Sequence, residues 1–185
     1  MLKNIYSLIL LFSISFVLSA ESISVMSINA QNLFDTIDDP GKDDKAFLPI
    51  EMKQSAEHKN SCKNITVKRW RNECFYQNWN TETKNAKLNN LVKVITAYDQ
   101  NGADVVGLQE IENMNILEQL FVLLKPYGYK DFLLLESNDK RGVDTAFISK
   151  YDITNPNLHY VNFSSDFETI DTRPIFEVEI GRAHV

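Results

Sequence analysis

Gln109 and Glu110 end a short apolar run, Val105, Val106 and Leu108, in the stretch 103–113. A carboxylate at the edge of a core costs free energy unless it is hydrogen-bonded, paired with a cation or bound to a metal. Glu110 is therefore either a capping residue for the helix that follows or a ligand. Two further polar breaks are of the same kind: Asn29, closing an earlier stretch, and the run Asp139-Lys140-Arg141-Gly142-Val143-Asp144. Ligand groups converge at strand ends on one side of a sheet. An amide oxygen and a carboxylate are hard donors suited to Mg²⁺ or Ca²⁺. Mg²⁺ commonly takes only one or two carboxylates, with water and substrate phosphate completing its shell.

Periodicity gives the elements that must position these groups. Residues 22–28 alternate, with Ile23 and Val25 on one face, which predicts a first strand ending at Asn29. Asp38-Asp39-Pro40-Gly41 is a turn by composition. From 42 to 80 no period is sustained, so this segment reads as a long irregular insertion, and insertions of that size usually carry function. Leu88, Leu91, Val92 and Ile95 then repeat at helical spacing, Asn101-Gly102 ends that helix, and the central strand follows. A second helix begins near Met114, turns Leu117, Leu120, Phe121 and Leu124 inward, and stops before Pro126 and Gly128. Segments 129–135, 143–149, 158–163 and 175–180 read as strands. Helices alternating with strands, followed by consecutive strands, predict an α/β sandwich with mixed sheets.

At 185 residues and 44% hydrophobic composition, the chain suffices for one sizeable core and is short for two domains. Residues 1–20 stand apart from that core. Lys3 precedes an apolar and hydroxyl stretch over 5–18, and Ser19-Ala20 supplies small residues before Glu21, the pattern of a secretory signal peptide. An uncleaved anchor is the alternative. Export to a secreted or periplasmic space favours pairing of Cys62 with Cys74, against two buried free thiols, and closing that loop would contribute about 3 kcal/mol.

The formal charge is −6; residues 1–20 hold one Lys and no acid, so the exported chain is −7. Overall charge thus argues against general nucleic-acid binding, but its distribution is uneven. Asp35, Asp38, Asp39, Asp43 and Asp44 crowd an early loop that lacks the spacing of a known calcium loop and reads as solvated. Lys59, Lys63, Lys68, Arg69 and Arg71 fall in the Cys-bounded region, with Trp70, Phe75, Tyr76 and Trp79 among or beside them. Such a run either grips a phosphate backbone or is a solvated loop pinned by its disulfide. Asn64-Ile65-Thr66 and Asn162-Phe163-Ser164 are glycosylation acceptors only in a eukaryotic secretory route.

The strings VMSINAQNLFD, ADVVGLQEIEN, ESNDKRGVDTAFISK and TRPIFEVEI, in this order and spacing, resemble the endonuclease/exonuclease/phosphatase superfamily. The likeness is greatest to its secreted bacterial-type nucleases, which carry a comparable Cys-bounded insertion. The resemblance implies the N-terminal part of a four-layer α/β/β/α sandwich with mixed sheets over 21–179. It makes Glu110 a metal ligand and Asn29 the active-site asparagine beside metal and scissile phosphate, with Asn32 a further metal candidate. Arg141 and Asp144 fall on a strand facing the cleft, Arg141 contacting phosphate or forming a surface ion pair. Arg173 takes either a structural salt bridge or a part in catalysis. The implied chemistry is hydrolysis of a phosphodiester or phosphomonoester with Mg²⁺, or Ca²⁺ or Mn²⁺, by a monomer acting on nucleic acid without stable membrane association. A phospholipid or inositol-phosphate substrate, and a non-catalytic exported binding module, are the competing readings.

The family's later Asn-His, Gly-Asp-x-Asn and Ser-Asp-His segments have no counterpart in this sequence. His58, His159 and His184 sit in no matching context and are expected to be incidental. Residues 180–185 read as a non-native tail. The expectation is an incomplete domain with part of a metal site, no general base and little or no activity.

Overall fold

The structure is a computed structural model that describes residues 22–161 and 173–181. The leader segment, the sequon at Asn162, His184 and the end of the tail lie outside the described residues. In chain order the elements are β1 (Val25–Leu33), α1 (Ala56–Lys63), α2 (Lys68–Tyr76), α3 (Thr81–Thr96), β2 (Val105–Ile111), α4 (Met114–Leu124), β3 (Asp131–Leu134), β4 (Asp144–Ser149), β5 (Ile153–His159) and β6 (Ile175–Ile180), with four short 3-10 turns between them.

The spacing of apolar residues in α3 and α4 explains both helices and what they cover. Leu88, Leu91 and Ile95 form the buried stripe of α3; Ile116, Leu117, Leu120, Phe121 and Leu124 form that of α4. Each helix starts on an asparagine cap, Asn80 accepting from Thr83 N–H and Asn113 from Ile116 N–H, a contact that typically stabilises a helix by about 1 kcal/mol. The two stripes share one core with Ala30, Leu33, Val106, Leu108, Leu134, Ala146 and Ile148 of the sheet. Burying each large aliphatic side chain there contributes roughly 1.5–3 kcal/mol.

That sheet has four strands in the order β1-β2-β4-β3. β1 and β2 run parallel, whereas β4 is antiparallel to both β2 and β3. The remaining strands, β5 and β6, pair antiparallel as a separate two-stranded sheet. Phe176 of β6 lies against Phe147 of β4, ring centroids 5.2 Å apart, so the small sheet packs on the face opposite the helices. A helical layer, a mixed sheet and a second sheet agree with the predicted α/β sandwich.

Three local expectations are corrected. First, β1 does not stop at Asn29 but continues to Leu33 through an irregularity in its pairing. Second, the segment 42–80 contains α1 and α2. These helices present no apolar stripe: α1 buries His58 and Cys62, and α2 buries Cys74 alone. They are held by the Cys62–Cys74 disulfide and by Lys53, whose buried Nζ donates to Ala46 O at 2.8 Å and Glu73 O at 3.2 Å. Third, the strand expected at 158–163 is β5, Ile153–His159. Its Thr-Asn-Pro-Asn sequence hides the alternation, and Asn155 takes a left-handed φ of 50°.

Candidate active site

Glu110 is displaced from the sheet by the backbone. Pairing of β1 with β2 is regular to Asn29 opposite Gln109 and resumes only at Leu33 opposite Ile111. On the other side, Gln109 faces Thr145 and Ile111 faces Asp144, again with Glu110 skipped. Both ladders therefore bulge at this residue. Gln31, Asn32 and Glu110 have φ of 54°, 63° and 63°, in the left-handed region that non-glycine residues seldom occupy. Strain of this kind, about 1–3 kcal/mol per residue, is retained where the surroundings demand it and gathers at functional sites.

The bulge is stitched together by its own polar groups. Asn32 N–H donates to Glu110 Oε2 at 3.1 Å, and Gln31 N–H donates to Asn29 Oδ1 at 2.7 Å. Lys87, half-buried on α3, donates to Gln31 O and lies 5.7 Å over the Trp79 ring. Burial lowers the Lys87 pKa and the neighbouring Glu110 charge opposes that shift. Arg173 Nη2 approaches Glu110 Oε1 at 3.8 Å. Arg141 also feels the Glu110 charge, although its hydrogen bond to Asp139 is the larger influence raising its pKa. One partly exposed carboxylate is thus paired with Arg173 and lies within electrostatic reach of Lys87 and Arg141, so positive charge is available there for an anionic ligand.

A cleft of about 300 Å³ opens beside this point, lined by Asn32, Phe34, Lys45, Phe47, Trp70 and Arg141 among others. Phe34 and Phe47 stack in its wall at 4.0 Å, and Trp79 backs Phe47 edge-on at 5.4 Å. Trp79 Nε1 donates to Phe34 O at 3.1 Å, which ties the end of β1 to the start of α3.

Residues 70–179 match the endonuclease/exonuclease/phosphatase family. The chain belongs to that family. Its members are generally hydrolases of the phosphodiesterase or phosphatase type and typically use divalent metals. No curated protein sequence and no solved structure gives a significant match. Glu110, Arg141, Asp144 and Arg173 lie within the matched residues; Asn29 and Asn32 precede them.

The donors present fit a small hard cation. Glu110 keeps lone pairs beyond its one backbone hydrogen bond, the Asn29 and Asn32 amides lie along the same bulge, and one carboxylate suffices for Mg²⁺ when water and phosphate supply the rest. Of the residues singled out from the sequence, Glu110, Asn32 and Arg173 meet here, and Asn29 lies along the same bulge with its Oδ1 turned to Gln31 N–H. Arg141 lines the adjoining cleft and pairs with Asp139 at 3.1 Å. Asp144 is buried; its Oδ1 accepts from Ser137 N–H at 3.0 Å, which shapes the 137–142 loop, and its Oδ2 is enclosed without a hydrogen-bond partner.

Two contributors were not legible in advance. Lys87 lies off the apolar stripe of α3, and only the fold brings it to Gln31. Glu112 follows Glu110 at strand spacing, which was the available signal. Its N–H donates to Leu33 O at 3.0 Å and its Oε2 accepts from Asp35 N–H at 2.6 Å. Burial, then the neighbouring Asp35, Asp39 and Asp44, push its carboxyl up to about 9 against the Asp35 hydrogen bond. The group formed by His58 with Cys62 and Cys74 is not a metal centre, because both sulfurs are spent in the disulfide. His58 Nε2 instead sits 3.0 Å from Cys74 O, a structural role. His159 pairs with Glu177 across the exposed β5–β6 ladder.

Proposed function

We propose that the protein is an exported, Mg²⁺-dependent phosphodiesterase whose substrate is nucleic acid. The observation that carries this reading is Glu110, expelled from both strand ladders, paired with Arg173 and within electrostatic reach of Lys87 and Arg141. Glu110 would hold the ion, with Asn29 and Asn32 as supporting donors. A divalent ion there supplies Lewis-acid polarisation of a phosphoryl oxygen. Arg173 and Arg141 then offer fixed donors to the remaining phosphate oxygens, an electrostatic complement to charge developing in the transition state. Nucleic acid is favoured over a small phosphoester by the exposed Trp70 and Tyr76 on the basic α2 segment, since bases stack on such rings without sequence preference. Among the described residues no helix is long and apolar enough to cross a membrane.

Mg²⁺-dependent nicking of supercoiled plasmid by the protein tests the reading. Glu110→Gln should reduce nicking by about 100-fold or more, and chelation should abolish it. Nicking by Glu110→Gln at the wild-type rate would overturn the assignment.

A further inference from the structure

The cleft beside Glu110 is assembled from separate parts of the chain. The end of β1 contributes Asn32 and Phe34, the loop after it Phe47, the disulfide-pinned insertion Ile65 and Trp70, and the 137–142 loop Arg141. Its charges offset one another. Lys45 and Arg141 stand against Asp43 and Glu73, and Glu73 is further occupied by Arg69 at 2.8 Å. Apolar walls with a few polar groups make a pocket for a flat, uncharged group, and the two acids disfavour a phosphate inside it.

Trp70 is the wall that lacks a partner. It is 59% exposed, whereas Trp79 behind the cleft is 7% exposed. Phe34, Phe47 and Trp79 satisfy one another by stacking and edge contact, but among the described residues Trp70 packs on no other aromatic ring. A bare indole at the side of a cleft is a stacking surface, and every nucleobase has a face to offer it.

Asn32 joins this cleft to the candidate metal position. The residue lines the cleft while its N–H donates to Glu110 Oε2 at 3.1 Å. Arg141 likewise lines the cleft and feels the Glu110 charge. A nucleotide with its phosphate at Glu110 therefore has the cleft within reach of its own base. The volume of about 300 Å³ is at the small end of the roughly 300–1,000 Å³ of ligand pockets, suited to one ring system and too small for a base pair.

We propose that the cleft is a nucleobase subsite that receives one unpaired base next to the phosphate at Glu110, so that the protein selects single-stranded over duplex nucleic acid. The inference rests on the nucleic-acid reading above and adds a strand preference to it. A paired base enters such a cleft only after it is unpaired and unstacked, which costs a few kcal/mol. Negative supercoiling eases strand opening and would supply unpaired bases in a plasmid.

Fluorescence anisotropy titrations of the full-chain Glu110→Gln variant test this, with a labelled single-stranded oligonucleotide, its duplex and its abasic counterpart at one salt concentration. The single strand should bind at least about tenfold more tightly than either of the others. Trp70→Ala, at an exposed position, should weaken single-strand binding by about tenfold or more. Ala46→Phe, which fills the cleft and keeps Trp70, should likewise remove the preference. Equal affinity for single strand and duplex, or for the intact and abasic strands, would overturn the subsite, as would an unchanged preference in either variant. Plasmid nicking by the unsubstituted chain without any strand preference would remove the subsite and leave the hydrolase reading standing. Base-dependent single-strand binding without Mg²⁺-dependent cleavage would do the reverse.

Discussion

Replacing both cysteines, Cys62→Ser with Cys74→Ser, should loosen α1 and α2 while leaving the main core in place. The two helices have 8 and 9 residues, shorter than the ~12–15 at which an isolated helix becomes even marginal in water. They bury no aliphatic side chain between them, so packing cannot make up the deficit. The covalent link spans a sequence separation of 12, for which loop-closure entropy gives about 3 kcal/mol. Lys53 and the His58 contact with Cys74 O survive the substitution, and each is a single hydrogen-bonding group. About 3 kcal/mol corresponds to roughly two decades in an opening constant. Native-state hydrogen exchange reads it directly. Amides in 58–76 should exchange about 100-fold faster in the variant, and equally so in the wild type under reductant. Amides of β2 and α4 should hardly change, because they belong to a core cluster that excludes the insertion. Unchanged exchange over 58–76 would refute the argument that the disulfide holds these helices. An equal loss across β2 and α4 would refute the claim that they open separately.

Gly102→Ala should cost about 1–3 kcal/mol, measured by urea denaturation. Gly102 has φ +79°, and a Cβ there would lie 2.5 Å from the Tyr129 hydroxyl and 3.0 Å from Ile95 O; a loss below about 0.5 kcal/mol would show that the turn relaxes freely. Lys53 supplies a pH dependence. Burial lowers its pKa from 10.5 to about 8, so between those values the unfolded chain binds the proton more readily and stability rises with pH. The urea midpoint should climb from pH 8 to pH 10, and Lys53→Met should remove that component of the slope; an identical slope in the variant would assign it to other groups.

What the sequence made legible follows from how local each determinant is. In α3, α4 and β2 the apolar spacing that identifies the element is also what buries it, so Leu88, Leu117 and Val106 could be placed without tertiary information. Glu110 was legible for the complementary reason: a charged residue interrupting a buried run. The extension of β1 was not, because left-handed φ at Gln31 and Asn32 is imposed by contacts to Glu110 and Lys87 far along the chain. Nor was the burial of Asp35, whose partners Asn113 and Asn115 lie 78 and 80 residues later. The helices of the insertion had a readable cap, Ser55 accepting from His58 N–H, but no apolar stripe to announce them.

The strain at the candidate site has a mechanical consequence for the carboxylate it carries. A glutamate on a regular strand would alternate into the core or out to solvent, and three flexible torsions would decide where its oxygens lie. Here the left-handed backbone at Glu110 removes it from both ladders, and the opposing bulge returns the Asn32 N–H to its Oε2. Each residue's unfavourable φ is thus held by the other's hydrogen bond. Arg173 approaches from the segment leading into β6 and Lys87 from α3, elements anchored independently through Phe176 and through the main core. Position is therefore set by backbone and packing before any ligand arrives, which is the preorganisation that electrostatic catalysis requires. Because the supports come from separate elements, loosening the insertion through its disulfide should disturb Trp70 and the neighbouring cleft while leaving the Glu110 geometry intact.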